Sequence, residues 1–230
     1  MPDDEAADPH YLFTVFTPTF NRATTIGRVH ASLMRQTFTD FEWVLVNDGS
    51  QDRTEEILRD LEKRDSRVRV FSPGRLGITG AANFGVNQAR GEYVARQDFD
   101  DRSYPDRLRL QVAVLDANPR IGVVGGHYLV IDQNRNERYV RMPPSEHEDI
   151  IPAMARAIPM ANTIAMFRKR VWTEAGGSLS KADRGEAARR PASVAATRHS
   201  CDRGRLCRSR ASRRFASARS ASCWKGLPAR

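Results

Sequence analysis

The chain has 230 residues, of which 40% are hydrophobic and 28% are charged. This length and balance are typical of a soluble protein with one large domain, and they exclude a collagen-like or wholly disordered chain. No run of about 18 apolar residues occurs, so no membrane-spanning helix is expected. Residues 1–10 are acidic and lack the apolar core of a signal peptide, so we expect a flexible terminus and no secretory route.

Charge divides the chain into two parts. Residues 1–180 hold 23 Lys and Arg against 25 Asp and Glu, whereas residues 181–230 hold 14 against 3, so the last fifty residues produce the net charge of +9. The three cysteines, Cys201, Cys207 and Cys223, also lie there. A disulfide scaffold and a cysteine-ligated zinc site are therefore excluded for the first 180 residues.

Short apolar runs and helical patterns alternate from the start of the first part. We predict a strand over residues 11–17 that ends at Pro18. A helix capped by Thr24 or Thr25 follows, because apolar residues recur there at spacings of three and four. A second strand is predicted over residues 41–46 and a second helix over residues 52–64.

The same alternation continues in the middle of the chain. A third strand is predicted over residues 68–71, and an Ala-rich helix over residues 79–90. A fourth strand (92–97) and a helix (105–118) follow, and further strands are predicted at 121–124 and 127–132. The alternation predicts an α/β fold with a mostly parallel sheet and helices on both faces.

The last part of the chain has a different composition. Arg, Ala and Ser supply 30 of the 50 residues from 181 to 230. The few large apolar residues show neither a helical nor a strand period, so this stretch buries too little surface to offset its ordering entropy. We expect residues 179–230 to form an irregular, disordered tail after a domain over residues 11–178.

Functional residues are expected directly after the strands, because ligands of open α/β sheets bind outside the carboxyl ends of parallel strands. The segments at these positions are residues 17–22, 47–50, 74–80 and 98–101. They lack the G-x-G-x-x-G of a dinucleotide fold and the G-x-x-x-x-G-K-[ST] of a P-loop. The sequence therefore predicts a nucleotide diphosphate site in which a metal offsets the phosphate charge.

The segment Asp98-Phe99-Asp100-Asp101 suits such a metal. Carboxylate oxygens are the ligands that Mg²⁺ and Mn²⁺ prefer, and one or two of them suffice when phosphates and water complete the shell. Two simpler interpretations remain open: a solvated turn in which Asp101 or Ser103 caps the next helix, and an ordinary turn at Asp48. The five histidines show no metal-ligand spacing.

Several segments, in order, resemble family-2 glycosyltransferases with the GT-A fold, of the type that builds bacterial cell-surface polysaccharide. They are FTVFTPTFNR, FEWVLVNDGSQDRT, GITGAANFGVNQARGEYVARQDFDD and PDRLRLQVAVLDANPRIGVVGG. The later MFRKRVWTEAGG resembles the family's segment just before its catalytic motif. Together these segments cover about three quarters of the chain, and the resemblance implies a GT-A domain over residues 11–178.

The resemblance assigns roles to individual residues. The residues implied to bind the nucleotide sugar are Thr17, Pro18, Asn21, Arg22, Asp48, Gly77, Asn83 and Asp98. Asp48 is implied to read the nucleobase, Asp98 to face the ribose, and Asp100 to hold the metal. Asp101 matches an acid with a structural or acceptor-side role.

One position departs from the family pattern. Ala82 stands where many relatives carry an Arg before the Asn, and we expect Arg75 to substitute for that basic contact. The implied reaction is an inverting, metal-dependent transfer of a sugar, with Mg²⁺ or Mn²⁺, from a UDP-sugar or other nucleotide-diphosphate sugar. The implied acceptor is the hydroxyl of a saccharide or a lipid-linked molecule, and the implied location is the cytoplasm, including the inner membrane face.

The catalytic base implied by the family is missing. The family carries it in a Glu-Asp motif soon after the glycine pair that Gly176-Gly177 resembles, but no Glu-Asp pair follows here. Asp183 and Glu186 are nearby acids in a different context, so no catalytic residue is assigned. The resemblance stops at about residue 178, and we hypothesise that the chain is truncated or frameshifted there.

Three alternatives to an active transferase follow from these observations. The first is an inactive remnant that binds nucleotide and transfers nothing. The second is non-specific binding of nucleic acid through the basic tail, in which only Phe215 and Trp224 are available for stacking. The third is a nucleotidyltransferase, which would normally carry a glycine in the loop after the first strand, whereas residues 17–22 contain none.

Overall fold

The computed structural model describes residues 12–132, 134, 136–154 and 160–178. The terminus predicted to be flexible (residues 1–10) and the predicted tail (residues 179–230) lie outside the described residues, as do the three cysteines. None of the helices in the described ranges is both long enough and apolar enough to cross a membrane.

Strands and helices alternate through the described ranges. The strands are β1 (Phe13–Thr19), β2 (Phe41–Asn47), β3 (Val68–Phe71), β4 (Tyr93–Arg96), β5 (Val123–Val124), β6 (Tyr128–Ile131), β7 (Glu137–Arg141) and β8 (Met166–Arg168). The helices are α1 (Ile26–Leu33), α2 (Thr54–Arg64), α3 (Gly77–Gln88), α4 (Arg107–Ala117), α5 (His147–Met154) and α6 (Lys169–Glu174), with a 3-10 helix at Asn162–Ile164.

The main sheet has six strands in the order β3-β2-β1-β4-β8-β5. Strands β1 to β4 are mutually parallel, whereas β8 runs antiparallel to both β4 and β5. The prediction of a mostly parallel sheet is therefore confirmed. Strand β6 pairs with β7 in a separate hairpin, and neither β7 nor β8 was predicted from the sequence.

Alternating side chains of the strands build a core on each face of the sheet. Phe13 and Val15 of β1 pack with residues of α1, α2 and α4 on one face. Phe16, which follows Val15 and points to the opposite face, packs with Ala81 and Val86 of α3. The predicted arrangement of helices on both faces is confirmed, and it follows from the period of two along each strand.

The predicted end of the first strand at Pro18 is wrong, since β1 continues to Thr19. Proline is tolerated because β4 pairs with β1 only as far as Phe16. The carbonyl of Phe16 accepts the Gln97 N–H, so the backbone groups of Phe16 face β4. Pro18, two residues later, faces the same side of the strand. The N–H that proline lacks would therefore point to a side where pairing with β4 has already ended.

Helix boundaries depart from prediction where remote groups intervene. Helix α3 begins at Gly77 rather than residue 79, because Asp48 accepts hydrogen bonds from the Leu76 and Gly77 N–H groups. Thr25 occupies the N-cap position of α1, but its hydroxyl donates to the Arg22 carbonyl and caps no N–H group. The starts of α1 and α3 thus lie within two residues of the predicted positions, but the hydrogen bonds at these starts were not predicted.

A buried carboxylate joins the amino ends of the strands. Glu42 is fully buried, and its Oε1 accepts the Thr14 hydroxyl at 2.6 Å and the Arg90 N–H. Its Oε2 accepts from Arg69 Nη1 at 2.7 Å, and the same nitrogen also donates to the Gln88 carbonyl. This cluster links β1, β2 and β3 to the chain between α3 and β4, at the edge of the sheet opposite the segments predicted to be functional.

Candidate functional site

The candidate site lies at the carboxyl edge of β2, β1 and β4. Asp48 follows β2 and Asp98 follows β4, and β1 lies between these two strands. Because neighbouring strands are about 4.8 Å apart, residues at the ends of β2 and β4 are separated by roughly 10 Å across the sheet. The chain reverses its strand order at β1, which is the position where open α/β sheets bind ligands.

The loop after β1 is joined to the loop after β2. Asn21, at a positive φ of 51°, receives the Gln51 N–H on its Oδ1 at 2.8 Å, and its own N–H donates to Ser50 Oγ at 3.0 Å. The Arg22 N–H donates to Thr54 Oγ1 at 2.8 Å. Asn21 therefore contributes its side-chain oxygen to the shape of the edge.

Two other predicted residues of β1 lie below this edge. The Thr17 hydroxyl is buried and accepts from Trp43 Nε1 at 2.9 Å, so it supports the sheet instead of facing solvent. Pro18 is half-buried at the end of the strand. Thr19, also buried, carries a hydroxyl with no hydrogen-bond partner among the described residues.

Asp48 connects the loop after β2 to the start of α3. Only 8% of its side chain is exposed, and its Oδ1 accepts the Gly77 N–H at 3.0 Å and the Leu76 N–H. Gly77 has a positive φ of 73°, a conformation that favours glycine. Negative charge at the N-terminus of a helix is stabilising, and this explains why α3 begins here.

Arg75 closes over Asp48 from the loop before α3. Its Nη1 donates to the Asp48 carbonyl at 3.1 Å, and its Nε lies 3.7 Å from Asp48 Oδ2. Its guanidinium carbon lies 3.6 Å from the centre of the half-exposed Phe20 ring, a cation–π contact. Ala82 is buried against the sheet, so Arg75 provides the positive charge next to Asp48.

The acid loop, which we define as residues 98–101, follows β4. Asp98 Oδ1 accepts from Arg96 Nε at 3.1 Å, and about a third of its side chain is exposed. Asp100 is 66% exposed, and its Oδ2 lies 4.0 Å from Arg22 Nη2. The carboxylate of Asp100 is thus more accessible than that of Asp98, and Arg22 connects Asp100 to the loop after β1.

Asp101 is a partly buried acid of the acid loop. Desolvation raises its pKa above the ordinary value of 3.8, a hydrogen bond to Thr163 opposes this shift, and the charges of Asp100 and Asp98 add to it. Helix α4 begins only at Arg107, so neither Asp101 nor Ser103 caps that helix. The loop places three like charges close together, which is costly unless a cation is nearby.

The raised pKa of Asp101 predicts a pH-dependent change in stability. The folded chain binds this proton more tightly than the unfolded chain, so ionisation destabilises the fold as pH rises above about 3.8. Asp101→Asn should therefore melt at a higher temperature than the wild type at pH 7, and the gain should shrink as pH falls towards 4. Thermal melts at both pH values check this, and a gain that does not depend on pH would contradict it.

Asn83 of α3 makes a contact that the sequence did not predict. Its Nδ2 donates to the Ser178 carbonyl at 3.0 Å, and its Oδ1 accepts the Ser178 N–H at 2.8 Å. Gly176 and Gly177, both at positive φ, turn the chain after α6 into this position. Asn83 therefore fixes the chain that leaves α6, and both ends of its carboxamide are already occupied.

Sequence reasoning missed residues that contact the acid loop from elsewhere in the fold. Thr163 accepts the Asp98 N–H at 3.4 Å and bonds to Asp101, although it lies more than 60 residues away. Arg96 and Gln97 are adjacent to the predicted acids and were read only as part of a strand. Arg96 and Gln97 could have been found from their proximity to the acids in the sequence. Nothing in the sequence pointed to Thr163.

The oxygen donors of the acid loop fit a hard divalent cation. Asp100 offers an exposed carboxylate, and Mg²⁺ or Mn²⁺ needs only one or two such ligands when water and phosphates supply the others. Within the described ranges, no three His, Cys, Asp or Glu residues are grouped closely enough to hold a metal by themselves. A cation held by the acid loop would therefore need water and phosphate oxygens to complete its ligand shell.

Two hollows on the described surface differ in character. A hollow of about 40 Å³ beside Asp100 is also lined by Asp101, Arg28, Arg102 and Ile131 of β6. A shallower one of about 450 Å³ lies at the opposite edge, next to Glu92 and α6, among exposed residues of mixed charge. The chemistry of the acid loop, rather than the larger volume, identifies the carboxyl edge as the candidate site.

Comparisons with known sequences identify a family. The model of the family described as "Glycosyl transferase family 2" matches residues 14–175. The chain is 42% identical over 90 residues to the uncharacterised glycosyltransferase EpsJ of Bacillus subtilis, covering 39% of this chain and 26% of that protein. It is 37% identical over 99 residues to chondroitin synthase of Pasteurella multocida, covering 43% of this chain and 10% of the synthase.

Solved structures share the fold. S. aureus TarS 1-349 in complex with UDP superposes with a TM-score of 0.56 and 23% identity, covering 71% of this chain and 48% of TarS. The mannosyltransferase PcManGT of Pyrobaculum calidifontis, in complex with GDP-Man and Mn²⁺, superposes with a TM-score of 0.56 and 23% identity. This match covers 79% of this chain and 52% of PcManGT. The chain thus spans about half of these two structures and a tenth to a quarter of the two sequence relatives above.

Proposed function

The chain belongs to glycosyl transferase family 2 and has the GT-A fold, and from this premise we propose that it transfers a sugar from a nucleotide-diphosphate sugar to an acceptor hydroxyl. The observation that carries the proposal is the arrangement of Asp48 and the acid loop at one edge, on either side of the end of β1. We further propose that the transfer is metal-dependent and inverts the anomeric centre.

The nucleoside would bind between Asp48 and the loop after β1. Arg75 and the half-exposed Phe20 next to Asp48 offer a positive charge and an aromatic face of the kind that a base and its phosphates require. Because Arg75 now covers both Asp48 and Phe20, it would have to shift when a base enters. Arg22 and Asp98 would face the ribose, and the backbone of Pro18, Asn21 and Gly77 would border the pocket.

The diphosphate would lie across the acid loop. Asp100, with Asp98 beside it, would hold a divalent cation, which supplies Lewis-acid stabilisation of the leaving diphosphate. Arg22 already lies 4.0 Å from Asp100 and would add charge on the same side. TarS in complex with UDP and PcManGT with GDP-Man and Mn²⁺ support a nucleotide-sugar donor and a divalent cation for this chain.

We assign no catalytic base. In the described ranges only Ser178 follows the Gly176-Gly177 turn, and Asp183 and Glu186 lie outside them. A second candidate function is therefore nucleotide-sugar binding without transfer, favoured by the absence of a Glu-Asp pair after Gly177. We propose that the acceptor is used in bacterial cell-surface polysaccharide synthesis, and the match to chondroitin synthase, which is named for a polysaccharide product, supports this proposal.

Calorimetric titration tests donor binding directly. We expect UDP to bind the full chain in the presence of Mn²⁺ with a Kd below about 1 mM, and to bind more weakly when Mn²⁺ is replaced by EDTA. No heat of binding at millimolar UDP, with protein that melts cooperatively, would contradict the proposal. Release of UDP from UDP-GlcNAc in the presence of a saccharide acceptor then separates an active transferase from a protein that only binds the donor.

A further inference from the structure

A buried group of polar side chains lies under the acid loop. We call it the polar bracket and define it as Gln97, Ser103, Arg107 and Gln111. Gln97, Ser103 and Gln111 are 0%, 8% and 6% exposed, respectively. Buried polar atoms are costly unless they are paired, so the bracket is expected to hold a defined geometry.

Gln97 contacts both ends of the acid loop. Its Nε2 donates to the carbonyl of Asp98 at 3.0 Å and to the carbonyl of Asp101 at 3.1 Å. Its Oε1 accepts the Ser103 hydroxyl at 2.6 Å and Arg107 Nη1 at 3.0 Å. The carboxamide thus closes the loop from below, and its orientation depends on the two donors behind it.

Arg107 connects these contacts to both the sheet and α4. Its Nη2 donates to the Arg96 carbonyl at 2.8 Å, its Nη1 also donates to Ser103 Oγ at 2.9 Å, and its Nε donates to Gln111 Oε1 at 3.1 Å. The residue is partly exposed, but the guanidinium group is enclosed by protein. Burial lowers its pKa to about 10, so the group stays cationic at pH 7.

The bracket also reaches the other side of the loop. Gln111 Nε2 donates to the Ile164 carbonyl at 2.7 Å, and the neighbouring Thr163 is the residue that contacts Asp98 and Asp101. The charge of Arg107 acts favourably on the carboxylates of both Asp98 and Asp101. The backbone of the acid loop is therefore held from two directions, and part of its charge repulsion is offset.

We propose that Arg107 is a positioning residue for the cation of the donor site: through Gln97 and Ser103 it holds the acid loop so that Asp98 and Asp100 present their carboxylates together. This inference rests on the proposed function. Outer residues that orient metal ligands typically affect metal affinity by about 10–100-fold, and the planar fork of arginine is needed because it serves four acceptors at once.

The test is the affinity for Mn²⁺ in the presence of UDP, measured as loss of the EPR signal of free Mn²⁺. Arg107→Lys keeps the charge but cannot reach four acceptors in this geometry, and we expect the Kd for Mn²⁺ to rise about tenfold. Binding of UDP in EDTA should be unchanged. An unchanged Kd for Mn²⁺ in folded Arg107→Lys would overturn the inference.

Arg168→Lys is the matched control. Arg168 is a buried arginine, 5% exposed, on the same side of the sheet as α4. Like Arg107 it has four acceptors, which are the carbonyls of Ile121 and Leu115 and the side chains of Glu92 and Tyr93. It contacts no residue of the acid loop in these bonds. We expect the melting temperature to fall in both variants but the Mn²⁺ affinity to fall only in Arg107→Lys; an equal loss in Arg168→Lys would reduce Arg107 to a structural role.

Ser103→Ala keeps the proposal testable if Arg107→Lys does not fold. It removes one of the two donors to Gln97 Oε1, and we expect Mn²⁺ affinity to fall about 3- to 10-fold. Unchanged affinity would overturn the inference. If the wild-type chain binds no Mn²⁺ in the presence of UDP, the proposed function itself is wrong. If the wild-type chain binds Mn²⁺ and the variants bind it equally well, only the role of Arg107 is wrong.

Discussion

Asp100→Asn should abolish the Mn²⁺-dependent part of UDP binding. The substitution keeps the size of the side chain but removes the accessible charge of the acid loop, and an amide oxygen is a much poorer ligand for a hard cation than a carboxylate. We expect a loss greater than the roughly 10–100-fold that removal of an outer partner costs. Calorimetry with UDP, in Mn²⁺ and in EDTA, measures this loss.

This substitution should leave the fold intact. Asp100 is 66% exposed and its ion pair with Arg22 spans 4.0 Å, so the free energy of unfolding should change by less than about 1 kcal/mol. Asp60→Asn is a matched control, since Asp60 is 51% exposed and pairs with Lys63 at 3.9 Å in α2. Equal Mn²⁺-dependent binding in Asp100→Asn and Asp60→Asn would contradict the assignment of the cation to the acid loop.

Glu42→Ala should have the largest effect on stability. It leaves the Arg69 guanidinium, the Thr14 hydroxyl and the Arg90 N–H without the carboxylate that they share inside the protein. Glu42 is fully buried and Arg69 is 23% exposed, so the loss should approach the roughly 3–5 kcal/mol that is typical when one partner of a buried ion pair is removed. Urea denaturation, with the midpoint and the slope compared to the wild type, measures the change.

The position of Glu42 makes this prediction independent of the site. Glu42 lies at the amino edge of the sheet, so folded Glu42→Ala protein should still bind UDP and Mn²⁺ at temperatures well below its melting point. Glu56→Ala is the control, since the pair of Glu56 with Arg53 is exposed to solvent and should contribute little to stability. A loss below about 1 kcal/mol for Glu42→Ala would show that the cluster is not the link between strands that its hydrogen bonds indicate.

The order of strands and helices along the chain, and the location of the acids, could be predicted from the sequence. The alternation of side chains along β1 and β2, and the spacing of apolar residues in α1 and α4, are local properties that the chain displays without its neighbours. Parallel strands send their carboxyl ends to one edge. For this reason the sequence alone determined that Asp48 and Asp98 share an edge, before any contact was known.

Only the tertiary structure decided what these acids contact. The insertion of β8 between β4 and β5, the approach of Thr163 to the acid loop, and the hydrogen bonds from Leu76 and Gly77 to Asp48 join residues that are 28 or more positions apart. Such contacts depend on how whole elements pack, and no periodicity in the sequence records them. The polar bracket is an intermediate case, because its residues are close in sequence but their buried pairing with the sheet and α4 appears only once the core has formed.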